Sequence, residues 1–152
     1  VLVGRATNLP QSSYVTSKTS YRDFEIEFDV YMLNGNSGFQ YRSKIDKEKP
    51  DPVGYQADIG QDYWGTLYAS DGRGTIGEVD PAVKKAAVDL LGWNHFFVQV
   101  QGDHHVIEIN GVKTVDMHDA AHKAGIIGFQ LHEGMKMEVR FANIRLHSLR
   151  GR

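Results

Sequence analysis

Three glutamines, an arginine, an aspartate and a histidine recur at one parity of three alternating segments. Together they could hold a polyhydroxylated ligand and offer it a candidate base and a fixed cation. The segments are Gly38-Phe39-Gln40-Tyr41-Arg42-Ser43, Gly54-Tyr55-Gln56-Ala57-Asp58-Ile59 and Ile127-Gly128-Phe129-Gln130-Leu131-His132. In a strand, residues two apart share a face. Phe39, Tyr41, Tyr55, Ala57, Ile59, Ile127, Phe129 and Leu131 then point into a core. Gln40, Arg42, Gln56, Asp58, Gln130 and His132 line the opposite face. Solvated faces are usually Lys, Glu, Thr and Ser, and this one is not.

The rest of the chain reads as the scaffold for that face. Phe24, Ile26, Phe28, Val30 and Met32 alternate with Glu25, Glu27, Asp29 and Tyr31, a half-buried strand. Asn34 to Gly38 is a turn cluster, and residues 44–53 form a charged loop containing proline. A corner at Gln61-Asp62-Tyr63-Trp64-Gly65 leads to a short strand over 66–69. Asp80 as N-cap, Pro81 at the first position and apolar Val83, Ala86, Ala87, Leu90 and Leu91 predict a helix over 80–92, ended by Gly92. Strands follow at 96–101, 105–110 and 112–116, the last pair joined by an Asn110-Gly111 hairpin signal. Residues 116–123 are a loop or a helical turn. Two further strands cover 126–132 and 135–149. In the second, apolar parity switches between Phe141 and Ile144, which predicts a bulge at Ala142-Asn143. About nine strands and one helix predict an all-β, two-sheet sandwich or jelly roll.

Composition limits the alternatives. At 152 residues the chain is one domain with a substantial core, and 41% hydrophobic with 24% charged residues is ordinary for a globular protein. A net charge of -2 gives no basic footprint for nucleic acid, and no stretch approaches a membrane span. With no cysteine, the chain has neither a disulfide framework nor thiolate chemistry. It opens on Val1-Leu2-Val3-Gly4, already strand-like. The expectation is a single sandwich domain over 1–152, cut from a longer chain and lacking an N-terminal segment.

Several strings occur in a fixed order: Tyr21-Arg22-Asp23-Phe24-Glu25, Gly35-Asn36-Ser37-Gly38-Phe39-Gln40-Tyr41-Arg42-Ser43, Gly54-Tyr55-Gln56-Ala57-Asp58-Ile59-Gly60 and Tyr63-Trp64-Gly65-Thr66-Leu67-Tyr68. Then come Gly92-Trp93-Asn94, Ile109-Asn110-Gly111, Gly125-Ile126-Ile127-Gly128-Phe129-Gln130-Leu131-His132 and Phe141-Ala142-Asn143-Ile144-Arg145-Leu146. From about Tyr14 onward the chain resembles the 3-keto-disaccharide hydrolase domain family. That resemblance implies a concanavalin-like lectin/glucanase sandwich with one short helix, of a kind found mostly in secreted or periplasmic bacterial proteins. Family members usually begin with a glycine-containing strand followed by a tryptophan, which this chain lacks.

The resemblance also implies an activity: cleavage of glycosides whose sugar carries a ketone at C3. The ketone acidifies the C2 proton, and the glycosidic oxygen on C1 lies β to it. A base removes the C2 proton, the C1 substituent leaves, and water addition makes the net result hydrolysis. On this expectation His132 is the favoured base, with Asp58 orienting it or acting as the base itself. Arg42 holds the C3 oxygen as charge develops. Gln40, Gln56 and Gln130 bind sugar hydroxyls together with Asn36, and Trp64 or Tyr68 stacks on a ring. A divalent metal on Asp58 and His132 would serve the same enolate, although no ligand spacing calls for it.

Each of these residues has a structural reading too. Arg42 and Asp58 could be a cross-strand ion pair, and His132 a solvated strand end. His104-His105 reads as a hairpin tip, while His118 and His122 have metal-ligand spacing without a clear helix. Glu25, Glu27 and Asp29 form an acidic stripe that reads as a solvated face, with conventional glycosidase work by paired carboxylates as the minority alternative. The functional alternatives to an enzyme acting on an oligosaccharide or glycoside are a carbohydrate-binding module on the same face and a pure interaction domain.

Overall fold

Alternation of apolar and polar side chains, repeated along nearly every strand, folds the chain into two six-stranded antiparallel sheets packed face to face. The computed structural model describes residues 1–149. One sheet runs in the order β1 (Leu2–Thr7), β12 (Lys136–Ser148), β3 (Phe24–Asn34), β8 (Asn94–Gln101), β9 (His104–Ile109) and β10 (Val112–His118). The other runs β2 (Ser13–Thr16), β11 (Ile126–Leu131), β4 (Ser37–Lys44), β5 (Val53–Ile59), β6 (Leu67–Ala69) and β7 (Gly74–Gly77). The expected sandwich is therefore the observed one. Among the described residues no helix is long and apolar enough to cross a membrane.

The inner faces meet in an aromatic core. Phe28 stacks on Phe96 at 5.3 Å and meets Phe129 edge-on at 5.2 Å, and Phe39 stacks on Tyr41 at 5.7 Å. Burying each such ring contributes roughly 1.5–3 kcal/mol before entropy is counted. That core fixes the register of β4, β5 and β11, and so fixes which side chains reach their outer face.

Four local details differ from the periodicity or refine it. The register of β12 against β3 shifts between Ala142 and Arg145, with Asn143 at a φ of 51°, so the parity switch is a bulge. The helix α1 spans only Pro81–Ala87, although Asp80 caps it by accepting from the Ala82 N–H. Val88 turns extended, and the Asn94 side chain both accepts from the Asp89 N–H and donates to its carbonyl, gathering the following residues into a loop. Leu90 and Leu91 are consequently exposed. Strands β2 and β7 are short additions to the expected set, and they carry Tyr14 and Thr75 to the edge of the outer face.

Candidate functional site

Register builds the site as two cross-strand rows on the outer face of the second sheet. In the first row Tyr14 pairs with Gln130, and the Phe129–Phe39 pair sets Gln130 opposite Gly38. Gly38 pairs with Asp58, whose N–H donates to the Thr66 carbonyl at 3.0 Å. The second row holds Thr16, Gly128, Gln40, Gln56, Tyr68 and Thr75. Over these rows lies a cleft of about 390 Å³, walled also by Ser12, Asn36, Asp51, Gln61, Tyr63, Ser70, His132 and Glu133.

Gly38 creates the gap that organises the floor. A Cβ there would sit 2.4 Å from the Gln56 amide carbon and nitrogen. Without it, the Gln56 side chain lies across β4 into the first row. Its Nε2 donates to Asp58 Oδ1 at 2.7 Å and to Gln130 Oε1 at 3.3 Å. Gln130 Nε2 in turn donates to the Tyr14 hydroxyl at 2.9 Å, which donates to Asp51 Oδ1 at 2.6 Å. One hydrogen-bond chain thus joins two carboxylates across the sheet.

Asp58 is the group this chain prepares. It is 7% exposed, and burial pushes its carboxyl up to about 6, against the pull of donors Gln56 and Thr66 and of nearby His132. The Thr66 hydroxyl lies 3.0 Å from Asp58 Oδ2 and 2.9 Å from the Tyr63 carbonyl. With Asp58 ionised, that hydroxyl donates to Oδ2. With Asp58 protonated on Oδ2, the acid donates to the Thr66 oxygen, whose own proton turns to the Tyr63 carbonyl. Both protonation states therefore keep a full set of hydrogen bonds, which suits a group that must take up and release a proton.

His132 follows the end of β11 at the cleft wall. Its Nδ1–H donates to the Glu133 carbonyl at 2.8 Å, which orients the ring at the cleft wall. Asn36 and Tyr68 also face the cleft, and the Asn36 amide donates to Gln61 Oε1 at 3.4 Å. Gln40 lies in the wall, but its Nε2 donates to the Pro52 carbonyl at 2.8 Å and to Ser43 Oγ at 2.9 Å. It braces the 44–53 loop.

Two expected members stand elsewhere. Arg42 sits at a φ of 46° in a bulge, where pairing of β4 with β5 shifts between Tyr41 and Lys44. The extra residue reverses parity, so Ser43 faces Gln40 and the Arg42 guanidinium leaves the outer face. It is buried, donating to the Arg22 and Gly102 carbonyls at 2.7 Å each and to Asp23 Oδ1 at 2.9 Å. Arg42 therefore neither pairs with Asp58 nor reaches a ligand there. Trp64 is 3% exposed and packs 6.2 Å from the Phe96 ring, in the core. The short helical turn Gln61–Tyr63 puts Tyr63 at the cleft instead.

Tyr14, Asp51, Thr66, Tyr63 and Glu133 are among the members that sequence reasoning missed. Ser13-Tyr14-Val15-Thr16, with an aromatic and two β-branched residues, carries a weak strand signal. Asp51 and Glu133 lie on loops, where nothing in the local pattern marks them. Among the described residues no three His, Asp or Glu side chains gather as a cation site. Asp58 and His132 would supply two ligands, and both Asp58 oxygens already accept hydrogen bonds. This donor set does not fit a resident divalent ion.

The pattern of the 3-keto-alpha-glucoside-1,2-lyase-like domain matches residues 1–147. The chain belongs to this family. The match extends the resemblance from Tyr14 back to the first residue. No curated protein matches the chain. Solved structures share its fold. The carbohydrate-binding module CBM66 from Bacillus subtilis superposes with a TM-score of 0.71 at 21% identity, over 96% of this chain and 86% of that one. A proposed glycosyl hydrolase from Parabacteroides distasonis gives 0.71 at 18%, over 97% and 81%. An alginate lyase, Aly36B, gives 0.52 at 13%, over 97% and 81%. Family membership makes the function of this β-sandwich carbohydrate-related.

Proposed function

We propose that the protein cleaves 3-keto glycosides by taking the proton from C2 and releasing the substituent on C1. The observation that carries this reading is Asp58, a carboxyl with a value of about 6, on the floor of a cleft lined by amides and tyrosines. A base that titrates near neutrality is half prepared for proton abstraction beside a ketone. The C2–H electrons become the C2–C3 enolate. Their return expels the C1 oxygen, and the departing oxygen collects a proton. Addition of water across the resulting double bond completes hydrolysis.

Asp58 takes the C2 proton in this scheme, and His132, acting in its protonated form, gives its Nε2 proton to the leaving oxygen. Neutral donors, the remaining Gln130 N–H and the Asn36 amide, serve the C3 oxygen in the role that sequence assigned to Arg42. Tyr63 and Tyr68 offer ring faces to the sugar. The same reading places this activity in a secreted or periplasmic setting as part of the proposal.

A second reading is favoured by the absence of Lys and Arg among the described lining residues: a cleft without a fixed cation suits sugar binding without chemistry. One experiment separates the two. The protein is incubated with a 3-keto disaccharide, and release of the C1 substituent is followed with and without chelator, for the wild type and Asp58→Asn. An enzyme turns over, and the variant loses turnover by roughly 10²–10⁴-fold while still binding glycan. Glycan binding without turnover in the wild type would leave the binding module.

A further inference from the structure

We propose that the cleft selects uncharged glycans over anionic ones, with Asp51 and Glu133 as the residues that set the preference. This rests on reading the cleft as a carbohydrate site. Three carboxylates line it, Asp51, Asp58 and Glu133, and among the described lining residues there is no Lys or Arg. The cation that parity would have supplied, Arg42, is held beneath the loops by Asp23 and three backbone carbonyls.

A second observation concerns hydrogen bonding rather than charge. Gln56 and Asn36 are each 6% exposed, yet Gln56 Oε1 and Asn36 Oδ1 accept no hydrogen bond from a described residue. Among the described residues no fully buried polar side-chain atom lacks a partner, so these two oxygens open on the cleft. The floor is therefore rich in acceptors waiting for donors. Sugar hydroxyls supply O–H donors; a carboxylate or sulfate supplies none and brings a charge of the same sign as its hosts.

Asp51 is well suited to selection. Its Oδ1 accepts from Tyr14, so the carboxylate is held in place at the end of the chain that begins at Asp58. Glu133 stands next to His132 on the opposite loop, its N–H donating to Ser12 Oγ at 3.3 Å. An anionic sugar entering between them meets charges of its own sign, which disfavours it on the order of tenfold at low ionic strength.

The test uses matched α- and β-linked disaccharides of glucose and of glucuronate, titrated calorimetrically into the whole chain at pH 7.5. The glucosides should bind about tenfold or more tightly than the glucuronides, and added salt should narrow the gap. In the double variant Asp51→Asn, Glu133→Gln the gap should close, because the new amide oxygen at position 51 still accepts from Tyr14 while the charge is gone. Glucuronides binding the wild type as tightly as glucosides would overturn the proposal, as would a gap indifferent to the double variant. Binding of neither sugar would overturn the carbohydrate reading with it.

Discussion

Replacing Asp58 with Asn should make the protein more stable at neutral pH, and only there. Burial pushes the Asp58 carboxyl from its ordinary value of 3.8 up to about 6 in the folded chain. Each tenfold change in proton affinity is worth about 1.4 kcal/mol, so the buried carboxylate costs about 3 kcal/mol at pH 7 relative to its neutral form. The sign follows from proton uptake. Between about pH 4 and 6 the folded state holds a proton that the unfolded state has lost, so this group's contribution is full below pH 4 and disappears as pH rises through 6. Asparagine mimics the neutral acid at every pH: its oxygen accepts from Gln56, and its amide donates to Thr66. Denaturant unfolding of both proteins from pH 3.5 to 7.5 gives the comparison. The difference should be near zero below pH 4 and climb to about 2–3 kcal/mol by pH 7, roughly 5–10 °C in Tm for a chain this size. Other carboxylates titrate alike in both proteins and cancel. A pH-independent difference, or a less stable variant at pH 7, would refute the reasoning and make Asp58 a structural anion.

Further outcomes follow from the same geometry. His105 is fully buried between the Tyr41 hydroxyl and the Asp119 carbonyl, and burial lowers its ring to about 4. Its contribution is full above pH 6.5 and falls as pH drops toward 4, so His105→Gln should gain up to about 3 kcal/mol of stability relative to the wild type as pH falls through that window, read from denaturant unfolding. Arg42→Met should destabilise by about 3–5 kcal/mol, since Asp23 and the carbonyls lose a buried partner; glycan affinity of the folded fraction, measured by calorimetry, should not change. Gly38→Ala should lower glycan affinity on the order of tenfold or more while the circular dichroism stays β-rich, because the new methyl displaces Gln56 from Asp58. Tyr68→Ala should weaken binding, whereas Trp64→Phe should move Tm and leave binding alone.

Periodicity is enough to read the sandwich, since the apolar parities of β3, β4, β5 and β11 each name a core face and by exclusion an outer one. It also places Gln56, Asp58, Gln130 and His132 together, because in those strands the alternation runs unbroken through the site. It misplaces Arg42 for the complementary reason. The alternation Phe39, Tyr41 continues on paper into Ser43, but the chain inserts a residue there, and a single insertion reverses every later side chain. Nothing local announces it: the bulge answers to Ser43, Pro52 and Ser70, which converge on the Gln40 amide from three parts of the chain. Trp64 is misread because its neighbour Tyr63 carries the same kind of ring, and only the turn geometry decides which one faces out.

Asp58 and His105 titrate in opposite senses over much the same interval, one raised and the other lowered by burial. Between about pH 4 and 6 their contributions to stability have opposite slopes and nearly cancel, so each conceals the other in the wild type. The consequence is specific. Asp58→Asn should uncover an acid lability that belongs to His105, and His105→Gln a stabilisation on acidification that belongs to Asp58. The double variant should show neither. Because the two side chains share no hydrogen bond, their effects should add within about 0.5 kcal/mol. A strong departure from additivity would mean that the cleft floor and the buried imidazole communicate, and that the carboxyl value near 6 is a property of the whole sandwich rather than of the Gly38 gap.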